Sequence, residues 1–261
     1  MRATDLHEHA RKIGSWVDWD DTVDEFLAGD PDAEVTGIAV SWMPTFSTLE
    51  RARELGFNLF VTHEPLYVSE VDEARLVGPD DPWVRKRAWL EETGMMVYRC
   101  HDFWDDYPAV GIHGAWAKWL GFTGPPLSAE KYYEVHGVEG LTLGALARIF
   151  LERVKPLGQE AVHVIGDPDQ EVSRVALGTG AITNYRRMHA LGADVLLLTD
   201  DGTRLWESAQ WARDGGASLI LVNHATSEEP GMISLAVYLR GVFPGVRVEH
   251  VPGGCLYGTI S

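Results

Sequence analysis

The chain has 261 residues, with 22 Lys and Arg against 39 Asp and Glu, a formal charge of −17. At 45 % apolar and 23 % charged it is too apolar for a disordered chain, and its length accommodates one large domain or two small ones. The acidic balance argues against duplex nucleic acid and anionic membrane as main partners, since both carry the same sign of charge, but it suits cations.

The first 34 residues hold ten of the acidic side chains and only three basic ones. Their opening, MRATDLHEHARKIGSW, has no apolar stretch resembling a signal peptide. Two cysteines, Cys100 and Cys255, are too few for a CxxC-type site or a disulfide framework. A reducing, cytoplasmic setting is expected. Nowhere do ~18 uncharged apolar residues run together, so no membrane span is expected.

Short apolar runs then alternate with helical patterns. Strands are predicted at Gly37–Trp42, Asn58–Thr62, Met95–Arg99, Ala161–Ile165, Ser173–Leu177, Asp194–Leu198, Ser218–Val222 and Val246–Val251. In Ser47–Leu55 the apolar Leu49, Ala52 and Leu55 recur at helical spacing before Gly56. Thr142 is placed to cap a helix running to Lys155, closed by Pro156. The final helix is predicted to open at Pro230, with Met232, Leu235, Leu239 and Val242 on its buried face. Thr123–Gly140, rich in Pro and Gly, reads as a link between halves.

This alternation predicts an α/β fold: two similar α/β lobes with mainly parallel or mixed sheets and a site in the cleft between them. The lobes are expected at 1–125 and 126–261, forming one integrated unit.

Parallel sheets bind ligands beyond the carboxyl ends of their strands, so the residues just after each apolar run are the first candidates. Asn58–Thr62 leads into His63, Glu64 and Pro65. Met95–Arg99 leads into Cys100, His101 and Asp102, with Asp105 and Asp106 shortly after. Ser218–Val222 leads into Asn223 and His224, then Glu228 and Glu229 before Pro230. Because Pro230 marks the helix start, His224 and Glu228 are expected on a loop. A polar strand end or first-turn acidity accounts for any one of these groups. Three strand ends carrying histidine and carboxylate together point to divalent metal, with zinc, iron or manganese suited to such donors.

Other motifs carry less. Gly178-Thr179-Gly180-Ala181 lacks the features of a phosphate-cradling loop and reads as a tight turn. Trp16, Trp19, Trp116 and Trp119 read as core or subunit-contact residues.

The segments WDDTVDEFLAGDPDAEVTGIAV, LFVTHEPLY, VYRCHDFWDDYPAVGIHGAWAKWLGF and ILVNHATSEEPGMISLAVYL, in this order, resemble the Nif-three-like dinuclear metal centre family, the GTP cyclohydrolase 1 type 2 homologues. The resemblance implies metal ligands at His63, Glu64, Asp105, His224 and Glu228, holding two divalent ions per subunit. It implies a homohexamer, and a short form without an inserted domain. It also suggests hydrolysis of a nucleotide or similar small molecule, with His101 or Glu229 moving protons. The alternative is a non-enzymatic metal-binding oligomer acting as scaffold, chaperone or sensor.

Two departures matter. Glu64 stands where the family has a second histidine, which shifts preference from zinc toward iron, manganese or magnesium. Leu198–Arg204, LTDDGTR, replaces the family's TGe-x-k-h stretch, so contacts from that segment are expected to differ.

Overall fold

The computed structural model describes residues 1–67 and 80–260. They form two compact units, Met1–Gly111 with Met232–Gly253, and Ile112–Gly231 with Gly254–Ser261. The division therefore falls at Gly111/Ile112 rather than at 125/126. Met232–Gly253 moreover returns to the first unit.

The first unit contains α1 (Ala3–Ile13), β1 (Phe26–Ala28), β2 (Ile38–Ser41), α2 (Phe46–Glu54), β3 (Leu59–Thr62), α3 (Pro82–Thr93), β4 (Met96–Arg99) and α4 (Asp102–Asp105). The chain's last strand, β11 (Val248–His250), completes its sheet in the order β1-β4-β3-β2-β11. Strands β4, β3, β2 and β11 run parallel, and β1 is antiparallel on the edge. Both β2 and β3 are buried at all four positions, as expected of parallel strands covered on both faces. Leu49 and Ala52 of α2 pack with Ala39, Phe60 and Val97, so the helical spacing read from the sequence is the core-facing stripe.

The second unit contains α5 (Ile112–Leu120), β5 (Ser128–Glu130), β6 (Tyr133–Thr142), α6 (Leu143–Val154), β7 (His163–Ile165), β8 (Glu171–Leu177), α7 (Tyr185–Ala190), β9 (Val195–Thr199), α8 (Leu205–Gly215) and β10 (Ser218–Val222). Their sheet has the order β5-β6-β8-β9-β10-β7, with β8, β9 and β10 parallel. Alternate residues of these strands feed two cores. Val195, Leu197 and Ile220 pack with Leu143, Leu146 and Phe150 of α6, while Leu196, Leu198 and Leu219 pack with Met188 of α7 and Ala212 of α8. Thr142 caps α6 as expected, its Oγ1 accepting from Ala145 N at 3.2 Å.

Two expectations are corrected. The predicted link Thr123–Gly140 contains β5 and most of β6, which pair antiparallel with each other. Its Pro and Gly content masked the alternation that buries Tyr133 and Val135. The final helix, α9 (His224–Val242), opens six residues before Pro230 and carries that proline inside it. A proline there forfeits its own bond to the carbonyl four residues back and crowds that carbonyl with its ring, yet the helix continues through it. The first turn is secured otherwise: Asp200 Oδ1 accepts from His224 N at 2.8 Å, and Ser227 N donates to Asn223 O at 3.1 Å. His224 and Glu228 thus share one helical face at i, i+4, not a loop.

The tryptophans are packing residues. Trp16 stacks on Phe103 at 5.6 Å, Trp116 is fully buried, and Trp19 and Trp119 donate to the carbonyls of Gly14 and Arg153.

Candidate functional site

Beyond β3 the chain turns under tight backbone control. Both His63 N and Glu64 N donate to Trp42 O, at 3.2 and 2.9 Å, and Thr62 Oγ1 donates to the same carbonyl. This turn lets His63 and Glu64, neighbours that would point opposite ways along a strand, serve one region. His63 is fully buried. Its Nδ1 hydrogen-bonds Cys100 O at 3.4 Å and its Nε2 lies 3.5 Å from Asp105 Oδ1. A carbonyl can only accept, so Nδ1 carries the proton and Nε2 presents its lone pair to the carboxylate side.

Beyond β4, His101 stacks on His63, with ring centroids 4.2 Å apart and planes 10° from parallel. Its Nδ1 lies 3.0 Å from Asp102 Oδ1 and 3.4 Å from Asp105 Oδ2. One donor atom each of His63, Glu64 and His101 lies within 4.8 Å of the others. The hydrogen bond from His101 holds the Asp102 carboxyl well below the usual range.

Sequence reasoning left out the residue that organises this corner. Asp24, 2 % exposed, accepts from the backbone N–H groups of His101, Asp102 and Phe103. Thr22 Oγ1 in turn donates to Asp102 Oδ2 at 2.8 Å. Asp24 therefore caps the single turn that carries Asp105. Burial raises its pKa, against the lowering by the backbone bonds. The acidic N-terminal run was visible in the sequence, but nothing there tied one member to residues about eighty positions on.

In the second unit the carboxyl ends of β8, β9 and β10 meet the start of α9. His224 Nδ1 lies 3.0 Å from Asp201 Oδ2, and its Nε2 lies 3.1 Å from Glu228 Oε2. Asp200 accepts from His224 N and from Asn223 Nδ2, fixing the helix start against the β9 loop. Gly180, at φ +65°, packs so closely here that a Cβ would collide with the Glu228 carboxylate. Glu228 and Glu229 are both buried, at 3 % and 2 % exposure. The altered Leu198–Arg204 segment thus supplies two carboxylates to this corner, a contact the sequence did not reveal.

These donors fit a divalent cation. Buried carboxylates need a positive partner, and imidazole with carboxylate is a donor set for zinc, iron or manganese. In each unit an imidazole has Nδ1 tied to an acceptor and Nε2 turned toward a carboxylate, the arrangement of a ligand histidine oriented from behind.

A family model, Duf34/NIF3 (NGG1p interacting factor 3), matches residues 8–252. The chain belongs to this family. It is 24 % identical over 221 residues, 80 % of each chain, to a GTP cyclohydrolase 1 type 2 homolog of Clostridium perfringens. Its fold is similar to that of the Staphylococcus aureus hypothetical protein SA1388, with a TM-score of 0.79, 21 % identity and coverage of 100 % and 99 % of the two chains. A Bacillus cereus protein related to NIF3 is similar at a TM-score of 0.77 and 12 % identity, over 100 % of this chain and 98 % of that one. Membership in the Duf34/NIF3 family accords with the mixed α/β architecture of two sheets with interleaved helices. Among the described residues no helix is long and apolar enough to cross a membrane.

Proposed function

We propose that this Duf34/NIF3 protein binds divalent metal and is a metal-dependent hydrolase of a nucleotide or similar small molecule. The observation that carries the reading is the matched state of His63 and His224. Each has Nδ1 held by an acceptor and Nε2 beside a carboxylate, that of Asp105 or Glu228. The proposed ligands are His63, Glu64, Asp105, His224 and Glu228, holding two ions chosen from zinc, iron, manganese and magnesium.

When bound, the metal supplies Lewis acidity to the scissile bond. The chain's own groups do the rest. Asp24 holds the backbone that presents His101 and Asp105, and Asp102 ties that turn to Thr22 and Val23. His101, part exposed beside Asp102, carries a proton to or from substrate at its ring nitrogens, and Glu229 is the second proton carrier. The name of the Clostridium relative makes GTP ring hydrolysis the first reaction to assay. The reading includes self-assembly into a homohexamer, which sedimentation measures directly.

The decisive experiment is metal analysis of the purified protein beside His63→Ala and Glu228→Ala. Each variant is expected to lose metal. If neither does, the ligand assignment fails. Metal binding without hydrolysis across a nucleotide and phosphoester panel would leave the metal-holding oligomer in place of the hydrolase.

A further inference from the structure

Strands β8 and β9 are adjacent, parallel, and end on the same edge of their sheet. The loop after β8 with the first turn of α7 (181–186), and the loop after β9 (202–204), border an open depression of about 340 Å³. That lies within the ~300–1,000 Å³ usual for small-ligand sites. Its position is where open parallel sheets take their ligands.

The lining is unusual for so acidic a chain. Arg186 and Arg204 both border the depression, joined by Ile182, Thr183, Thr203 and Glu207. Overall the protein has 39 acidic against 22 basic side chains, so its general field repels anions. Two guanidinium groups at one mouth oppose that field locally. Thr203 Oγ1 is buried there and has no hydrogen-bond partner among the described residues. A buried hydroxyl in that condition lacks the partner such groups normally have. Arg204 Nη1 lies 3.3 Å from Glu207 Oε1, an exposed pairing that an incoming anion can displace. Arg186 lies over the rings of Tyr185 and Trp211, at 5.3 and 5.8 Å, which restrains its stem.

The Gly178–Ala181 turn, read from sequence as tight rather than phosphate-cradling, keeps that character. Gly180 N donates to Ser227 Oγ and Gly180 O accepts from Thr199 Oγ1, so both its backbone groups serve the fold. One end of this turn packs on Glu228, and its continuation from Ala181 forms the wall of the depression. The depression and the His224–Glu228 pair are therefore neighbours along one sheet edge.

We propose that this depression is an anion-binding pocket for the phosphate group of a small-molecule ligand. Arg186 and Arg204 supply charge-assisted hydrogen bonds, and Thr203 lines the same mouth. Ile182, half exposed, offers apolar contact to the ligand's remainder. The pocket gives the proposed hydrolase a phosphate-bearing substrate, and only that link rests on the metal reading.

Calorimetric titration of chelator-treated protein tests the pocket without metal. The probes are inorganic phosphate, guanosine 5′-monophosphate and guanosine. Phosphate or the monophosphate should bind, and guanosine alone should not. Tighter binding of the monophosphate identifies an organic ligand, and equal affinity identifies free phosphate; both support the pocket. Arg186→Gln and Arg204→Gln should each weaken binding about tenfold or more, whereas Glu207→Gln should tighten it several-fold. Unchanged affinity in both arginine variants, or weaker binding in Glu207→Gln, overturns the proposal. Metal content separates the two readings. Retention of metal by His224→Ala counts against the metal site alone, and arginine variants that keep their metal but bind phosphate like wild type sink only the pocket.

Discussion

Asp201 Oδ2 lies 3.0 Å from His224 Nδ1, on the side of the ring away from Glu228. A carboxylate in that place fixes the ring's orientation and favours the Nδ1 proton, leaving Nε2 as the donor atom. The loop carrying Asp201 is itself fixed. Asp200 N donates to Val222 O, Asp201 N to Asp200 Oδ1, and Gly202 N to Thr199 Oγ1. Asp201→Ala should therefore weaken metal binding by ~10–100-fold, the usual cost of losing such an orienting partner. Asp201→Asn keeps an acceptor and should lose less. Nitrogen NMR of the zinc-loaded protein should show His224 protonated at Nδ1 in wild type. If Asp201→Ala keeps both that proton and its affinity, Asp201 does not orient the ring.

Asp24 has the same kind of task for the other histidine corner, through the backbone. Replacing it by Ala leaves three backbone donors without their acceptor and should cost ~2–4 kcal/mol of stability by denaturant unfolding. Asp24→Asn separates charge from hydrogen bonding. Burial raises the Asp24 pKa, so the folded protein keeps this proton to a higher pH than the unfolded chain does. Its contribution to stability therefore falls as pH rises from 3.8 through the raised value. Wild type in chelator should lose more stability across that window than Asp24→Asn. Equal pH slopes would show that Asp24 titrates as it does when unfolded.

What the sequence disclosed follows from the range of each interaction. His63, His101 and His224 sit directly after apolar runs, so local periodicity and strand polarity sufficed to single them out. Asp24 and Asp201 are legible only through partners 77 and 23 residues away. No local pattern encodes such a pairing. Pro230 misled for a related reason: as a local signal it starts helices, yet Asp200 and Asn223 start α9 six residues earlier. Likewise β6 is held by its antiparallel neighbours β5 and β8, while its glycines advertise a loop.

Gly180 tests how tightly the Glu228 corner is built. At φ +65° an alanine is strained, and its Cβ would also meet the Glu228 carboxylate. Gly180→Ala should lose ~1–3 kcal/mol of stability and a large part of the metal. Gly56 provides the control, since it has φ +80° and open space around its Cβ position. Gly56→Ala should show strain alone, with metal content unchanged. Equal metal content in both variants would mean that Glu228 needs no fixed position to bind the ion.

Glu64 is the most informative single substitution at the metal. Its backbone N–H is fixed by Trp42 O at 2.9 Å, so a histidine there would be presented from the same turn. Glu64 shares a donor cluster with His63 and His101. A carboxylate is a hard anionic donor that suits manganese, magnesium and iron, whereas imidazole suits zinc. Glu64→His should therefore raise zinc affinity relative to manganese in chelator competition. Unchanged or weaker zinc binding would remove Glu64 from the ligand set.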